Sequence, residues 1–386
     1  MAKTYRGGRQ IKNMMTDNPE SGFEILAGHK PLRLGFLPLA DCAPLVMARE
    51  LGLFTRYGLE VQLCRDVSWS SIQDKIVNGA LDAAHAPAAM SFATNLGFQT
   101  PQPVCTTGLV LNLEGTAITI SHALRERGVR DAATLREEIR KIQGRRTLTF
   151  ATVFPYSSQN FLLRQWLISG GIDPDRDVRI VMMPPIHLFP TLRLGCIDGY
   201  CVGEPWTSLA VQARVGWCVA TSAELSPRHP EKVLLVRQGF AERRAGEHDL
   251  LIAALIEACA FCDQRENRRH ISATLARPEY VNAPSDCLQA CLVGPFDYGH
   301  RRVEPHPDFM IFSRFRANEP SPDKAAWILG HLHTMGLIRD LSVLQSQAVR
   351  SAFRADLYLR ARGVMLSQAR EIALEIDTYE KQHASN

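Results

Sequence analysis

A four-residue phrase occurs twice in the chain in matching surroundings: Gly79-Ala80-Leu81-Asp82 followed by Pro87, and Gly195-Cys196-Ile197-Asp198 followed by Pro205. Around each copy, short apolar runs alternate with longer helical patterns. One α/β unit is therefore used twice, and strands alternating with helices imply mainly parallel sheets covered on both faces.

The first unit opens with the apolar run 32–37 (LRLGFL), a helix over 41–51 that stops at Gly52, and a second strand over 60–64. A helix over 70–78, a strand over 81–85, a helix from Pro87, and strands over 104–111 and 116–120 follow. After a charged helical stretch at 125–143 the pattern restarts with a strand over 147–152, the loop FPYSSQN and a helix to Ser169. Strands are expected at 178–183, 197–202, 217–221 and 233–237. The remainder reads as helical, beginning at 248–267, with Ile328, Leu329, Leu332 and Met335 on one face of a later amphipathic helix. This divides the chain into a polar leader (1–30), the first part of lobe 1 (31–120), lobe 2 (121–240) and a helical C-terminal part that packs on and completes the lobes (241–386).

At 386 residues the chain exceeds what one core usually organises. The net charge of +4 is not gathered into a basic stripe with interleaved aromatics, which argues against direct nucleic-acid binding. No stretch is apolar for long enough to span a membrane. The first thirty residues hold no apolar run of the kind a secretory leader needs, so a cytoplasmic location is expected. Ten cysteines lie mostly within apolar runs, as buried thiols would. Cys259-Ala-Phe-Cys262 is expected to be core packing, and Cys287 and Cys291 lack the companions of a metal site. His300 and His306 read as loop residues. No nucleophile and base are paired and no phosphate-cradling loop is present, so neither an enzyme, a cofactor nor a metal is expected.

In open parallel sheets, guests sit beyond the carboxyl ends of the strands, where helix N-termini favour anions. The segments that emerge there are PLADCAP, the stretch around Trp69, NLEGTA and FPYSSQN. The run LGFLPLADCAPLVMARELGLFTRYGLEV, the segments SWSSIQDK and GGIDPDRDVRIVMMPP, and above all CVGEPW with HPEK resemble the nitrate-binding branch of ABC-transporter substrate-binding proteins, from about Leu32 to about Tyr298. The resemblance implies an α/β, two-lobed periplasmic-binding-protein-like fold with an anion enclosed between the lobes.

Carried over position by position, the resemblance places the family's anion-contacting tryptophan on Trp69 and its lysine on Lys232. An indole N–H donates without adding charge, and a single fixed cation suits a monovalent oxyanion. The family's glutamine is replaced by Thr116 and its histidine by Gln159. Both replacements keep a donor, and an amide at the second position is also similar to bicarbonate-binding relatives. Those relatives place a metal-holding carboxylate where this chain has Lys232, so nitrate or nitrite leads bicarbonate. Gly115 and Thr116 are expected to add backbone donors. Glu204 is expected to serve as a cap or hinge, because a bare carboxylate facing an anion is unfavourable.

The resemblance includes a cytoplasmic branch, the NasS type. In its anion-free form that branch holds a NasT-like, ANTAR-type RNA-binding antiterminator, and it releases this partner on binding nitrate or nitrite. Such a sensor is the leading expectation. A transport-linked binding protein is the alternative.

Overall fold

The computed structural model describes residues 30–98 and 105–368; apart from Lys30, the expected leader lies outside the described residues, as does the C-terminal EKQHASN. The chain begins Leu32–Phe36 (β1), Ala43–Glu50 (α1), Val61–Arg65 (β2), Trp69–Val77 (α2) and Ala83–Pro87 (β3), with β2 and β3 both parallel to the central β1. Ser68 caps α2, its hydroxyl accepting the Ser71 N–H at 3.2 Å. The strand expected over 104–111 is broken into Cys105–Thr106 (β4) and Val110–Glu114 (β5).

At Gly115 the chain leaves the first sheet. Its φ of 89° lies where side chains are strained, and a Cβ there would stand 2.6 Å from Met310 Cε. The second sheet comprises Thr116–Ser121 (β6), Thr149–Thr152 (β7), Arg179–Met182 (β8), Gly199–Gly203 (β9) and Gly216–Thr221 (β10), in the order β10-β6-β9-β7-β8. Ser158–Ser169 (α3) follows β7, and Trp206–Gln212 (α4) follows β9. Pro230–Arg237 (β11) then re-enters the first sheet between β3 and β5.

The repeated phrase has the same work in each lobe. In the first, the Asp82 carboxylate accepts the Arg33 N–H of β1 at 2.9 Å while the Asp82 N–H donates to the Arg33 carbonyl at 2.9 Å. In the second, Asp198 accepts from Thr149 of β7 at 2.8 Å and donates to its carbonyl at 2.7 Å. Each aspartate thus fixes the third strand of its unit against the first. The glycines that open the two phrases, Gly79 and Gly195, have φ of 77° and 70°.

Two expectations need correction. The sheets are parallel only in these βαβ cores, because β6 runs antiparallel to both β9 and β10, and β11 antiparallel to both β3 and β5. These are the strands on either side of the crossings between lobes, and a chain that returns from the other lobe enters against the direction in which it left. For the same reason the lobe boundaries move. β6 belongs to the second sheet although the sequence pattern places residues to 120 in lobe 1, and β11 belongs to the first sheet although the pattern places residues to 240 in lobe 2.

The C-terminal part is not wholly helical. Ala245–Asp263 (α5) packs on α1, and Phe296–Gly299 (β12) with Arg302–Glu304 (β13) forms a hairpin. Met310–Ile311 (β14) adds an edge strand to the first sheet beside β5. Pro322–Thr334 (α6) reaches the second lobe, where Trp327 Nε1 donates to Ser226 Oγ at 2.8 Å and His331 stacks on Phe161 at 5.0 Å. Cys259 and Cys262 are buried on α5 within the apolar core, and no disulfide is formed among the described residues.

Candidate functional site

Four of the five expected site residues meet where the lobes face one another. Trp69 stands in the first turn of α2, Thr116 begins β6, Gln159 lies in the first turn of α3, and Lys232 lies on β11. All four are fully buried. Lys232 Nζ is 5.4 Å from the centre of the Trp69 ring. Gln159 Nε2 is 3.3 Å from Thr116 Oγ1. The indole Nε1 of Trp69 and the side-chain carbonyl oxygen of Gln159 are buried with no hydrogen-bond partner among the described residues. Such orphans are costly in a dry interior; the indole N–H is open to a guest that accepts a hydrogen bond, whereas the Gln159 oxygen calls for a donor.

The fifth residue, Gly115, is a turn. Its carbonyl accepts the Glu204 N–H at 3.3 Å, while the neighbouring Thr116 N–H donates to Ser222 Oγ at 3.3 Å. The backbone donor expected from Thr116 is therefore already engaged within the fold.

The expectation of a lone ammonium is also corrected. Lys232 Nζ lies 2.8 Å from Asp41 Oδ2 and is bonded to Glu231 Oε1. Asp41 also meets His85 Nε2 at 3.0 Å, and both Asp41 contacts are close in distance without the alignment of a good hydrogen bond. Burial alone would raise the Asp41 carboxyl, but the Lys232 ammonium and His85 outweigh it and hold it down to about 2. Lys232 is moved upward, the two carboxylates overcoming its burial. Burial lowers His85, whose Nδ1 has no partner among the described residues. Trp69 and His85 are in ring contact at 5.3 Å.

Glu231 gathers the donors of both lobes. Its carboxylate accepts from Lys232, from the Ser158 hydroxyl, from the Gln159 amide, and lies 3.2 Å from His229 Nε2. These bonds and the Lys232 charge keep it ionised below its ordinary range, against the desolvation that would raise it. Neighbours on a regular strand point to opposite faces. Here the register between β11 and β5 shifts on both sides of Lys232, and this irregularity lets Glu231 and Lys232 share the cleft.

Glu204 closes the second-lobe wall. Its backbone carbonyl accepts the Ala40 N–H across the cleft at 2.8 Å, and its carboxylate accepts the Ser208 N–H in the first turns of α4 at 3.0 Å. This is the cap expected of it. Burial without a charged partner raises its carboxyl to about 7.

Sequence reasoning missed Asp41, His85, Glu231, Ser158 and His229. PLADCAP puts an acid beyond β1 and HPEK sets a carboxylate beside the lysine, but neither motif shows that these acids meet Lys232.

Residues 27–276 match the NMT1-like family. The chain belongs to this family. Among relatives of this NMT1-like chain, the nitrate import ATP-binding protein NrtC of Synechocystis sp. PCC 6803 is 39% identical over 331 residues, 85% of this chain and 49% of its own length. The bicarbonate transport ATP-binding protein CmpC of the same organism is 36% identical, over 79% of this chain and 46% of its own. The chain thus spans about half the length of these ATP-binding relatives. The nitrate/nitrite binding protein NrtA of Nostoc sp. PCC 7120 is 29% identical over 77% of this chain and 69% of its own. The crystal structure of the periplasmic nitrate-binding protein NrtA from Synechocystis PCC 6803 is similar with a TM-score of 0.82 at 25% identity, over 88% of this chain and 90% of that one.

The NMT1-like chain accordingly has the two-lobed, periplasmic-binding-protein-like α/β fold that its sequence implied. Among the described residues no helix is long and apolar enough to cross a membrane. Among the same residues no group of three or more His, Cys, Asp or Glu side chains is placed to hold a metal ion.

Proposed function

We propose that the cleft binds a small monovalent oxyanion, nitrate or nitrite, through Trp69, Thr116, Gln159 and Lys232, and that the chain works as the binding component of a nitrate-type ABC transport system. The observation that carries this reading is the convergence of an unpartnered indole N–H, a hydroxyl, an amide and a buried ammonium at the junction of two lobes. Neutral donors beside an ammonium that Asp41 and Glu231 already offset suit a guest of no more than single charge, which needs hydrogen bonds more than it needs charge. The names of the relatives, nitrate import, nitrate/nitrite binding and bicarbonate transport, point to the same class of ligand.

A second reading keeps the sensor role. The chain is a cytoplasmic protein that holds an ANTAR-type, NasT-like antiterminator when empty and releases it when the anion closes the lobes. It rests on the sequence resemblance; the identities of 39% to an ATP-binding component and 29% to a nitrate/nitrite binding protein say only that the chain's likeness does not lie with delivery proteins alone. Closure moves such an equilibrium only by the anion's preference for the closed form.

Thermal unfolding of the purified chain with nitrate, nitrite, bicarbonate, chloride and sulfate tests the binding reading. The true guest stabilises by about 2.7 kcal/mol at a hundredfold excess over its Kd. A response to bicarbonate alone moves the assignment to that anion, and a response to none of the five ends it. Nitrate added to a preformed complex with the antiterminator separates the two roles, since only the sensor lets its partner go.

A further inference from the structure

Two of the four donors assigned to the guest, Gln159 and Lys232, already hold an anion, the side-chain carboxylate of Glu231. Gln159 and Lys232 donate to one of its oxygens, and Ser158 and His229 face the other. Ser158 and Gln159 come from the start of α3 in the second lobe, whereas His229, Glu231 and Lys232 belong to the segment that enters the first sheet. The carboxylate therefore ties the lobes together as a bound guest would. We infer that Glu231 is a tethered substitute for the guest anion, which an incoming oxyanion displaces, so that this residue sets the affinity and selectivity of the cleft. The inference rests on the nitrate reading and adds a competitor to it.

Three features support it. A carboxylate and a nitrate or nitrite ion are alike in being flat, singly negative and able to accept from two directions, so one donor set serves either. The charge balance survives the exchange when the displaced carboxylate swings out of the cleft into solvent: Asp41 stays 2.8 Å from Lys232 as its counter-ion, and the guest's negative charge takes the place of Glu231 beside Gln159. Finally, the ladder is irregular at Glu231, although its carbonyl accepts the Ala88 N–H at 3.1 Å. This glutamate is the residue skipped in the pairing of β11 with β5, and the ladder with β3 begins only at Lys232. Irregular strand positions of this kind re-aim side chains beside functional sites.

A guest that must evict a bonded carboxylate binds more weakly than the donor set alone allows. Anions without a flat pair of separated acceptor oxygens replace those bonds poorly, and spherical chloride is the clearest example.

The test is calorimetric titration of sodium nitrate into the full chain at constant ionic strength, with wild type, Glu231→Ala and Glu231→Gln compared. Glu231→Ala vacates the donors and is expected to bind nitrate at least about tenfold tighter than wild type, as the loss of a competing charge-assisted bond implies. Glu231→Gln keeps the shape without the charge and is expected to gain less. A folded variant that binds nitrate no better than wild type overturns the inference and leaves the nitrate reading standing, since wild type still binds. Binding by the variants but not by wild type supports it. Absence of nitrate binding in all three ends both. Should neither variant fold, crystals of wild type grown with nitrate decide: a nitrate ion on Gln159 and Lys232 with Glu231 withdrawn supports the inference, and a bound nitrate with Glu231 still bonded to Gln159 overturns it.

Discussion

Each lobe buries one glutamate at the cleft, and the two are electrostatic opposites. Glu231, on the first-lobe strand β11, is held ionised by Lys232 and His229. Glu204, at the end of the second-lobe strand β9, takes its hydrogen bonds from the neutral Ser208, and burial pushes it up to about 7. Both are fully buried, so burial does not separate them. What separates them is the company each keeps, and the difference shows how a dry cleft is divided between a charged wall that exchanges ligands and a neutral wall that only holds its shape.

The largest effect comes from stripping the charged wall of its cation. Lys232→Met leaves Asp41 and Glu231 as two buried carboxylates without an ammonium, and removing one partner of a buried pair costs about 3–5 kcal/mol. Chemical denaturation of the variant should show a loss of that size, together with loss of any nitrate response. A loss no larger than that of an ordinary surface substitution would mean that Glu231 and Asp41 are protonated in the folded protein, and the contrast between the two walls would vanish.

The neutral wall is tested by pH. The Glu204 carboxyl rises to about 7 in the folded chain from an ordinary 4.5. Between those values the folded protein holds a proton that the unfolded chain has released. The stability this group contributes is complete below about 4.5 and is lost as pH rises through 7, a change of about 3 kcal/mol. Glu204→Gln removes the titration. Stability curves of wild type and variant should therefore agree in their slope below pH 4.5 and diverge above it, the variant gaining relative to wild type up to about pH 8. Parallel curves across that range would place a charged partner beside Glu204 after all. Asp41 runs the other way: held down to about 2, it contributes stability above its ordinary value that is lost as pH falls toward 2.

The division between the walls also explains what the sequence could tell. Asp82 and Asp198 were legible because each acts within its own βαβ unit, and the repeated phrase carried them. Lys232, Trp69 and Gln159 were legible through motifs. Asp41 and His85 were not, because their pairing with Lys232 joins the turn after β1, β3 and β11 from distant parts of the chain, and only the strand order brings them together. Glu231 was hidden for a different reason. A strict alternation along β11 would have sent it to the face opposite Lys232, and the irregular register that defeats alternation has no signature in HPEK. The lobe boundaries were misplaced by the same cause, since a strand's own residues do not say which sheet it will join.

The smallest effect concerns a single proton on the charged wall. The Trp69 indole lies 5.4 Å from Lys232 with its Nε1 unpartnered among the described residues, so its ring and its N–H have separable roles. Trp69→Phe keeps a ring beside the ammonium and deletes the donor. Without anion, the substitution relieves a buried orphan and should leave stability within about 1 kcal/mol of wild type, any gain from the orphan being offset by the smaller ring. With nitrate, the same deletion removes a bond made only to the guest, and affinity should fall by about tenfold, the worth of one such hydrogen bond. Paired titration and denaturation of this variant therefore read the two states separately. A loss of stability without anion that equals the loss of affinity would make Trp69 a packing residue, and the donor set of the cleft would then reduce to Thr116, Gln159 and Lys232.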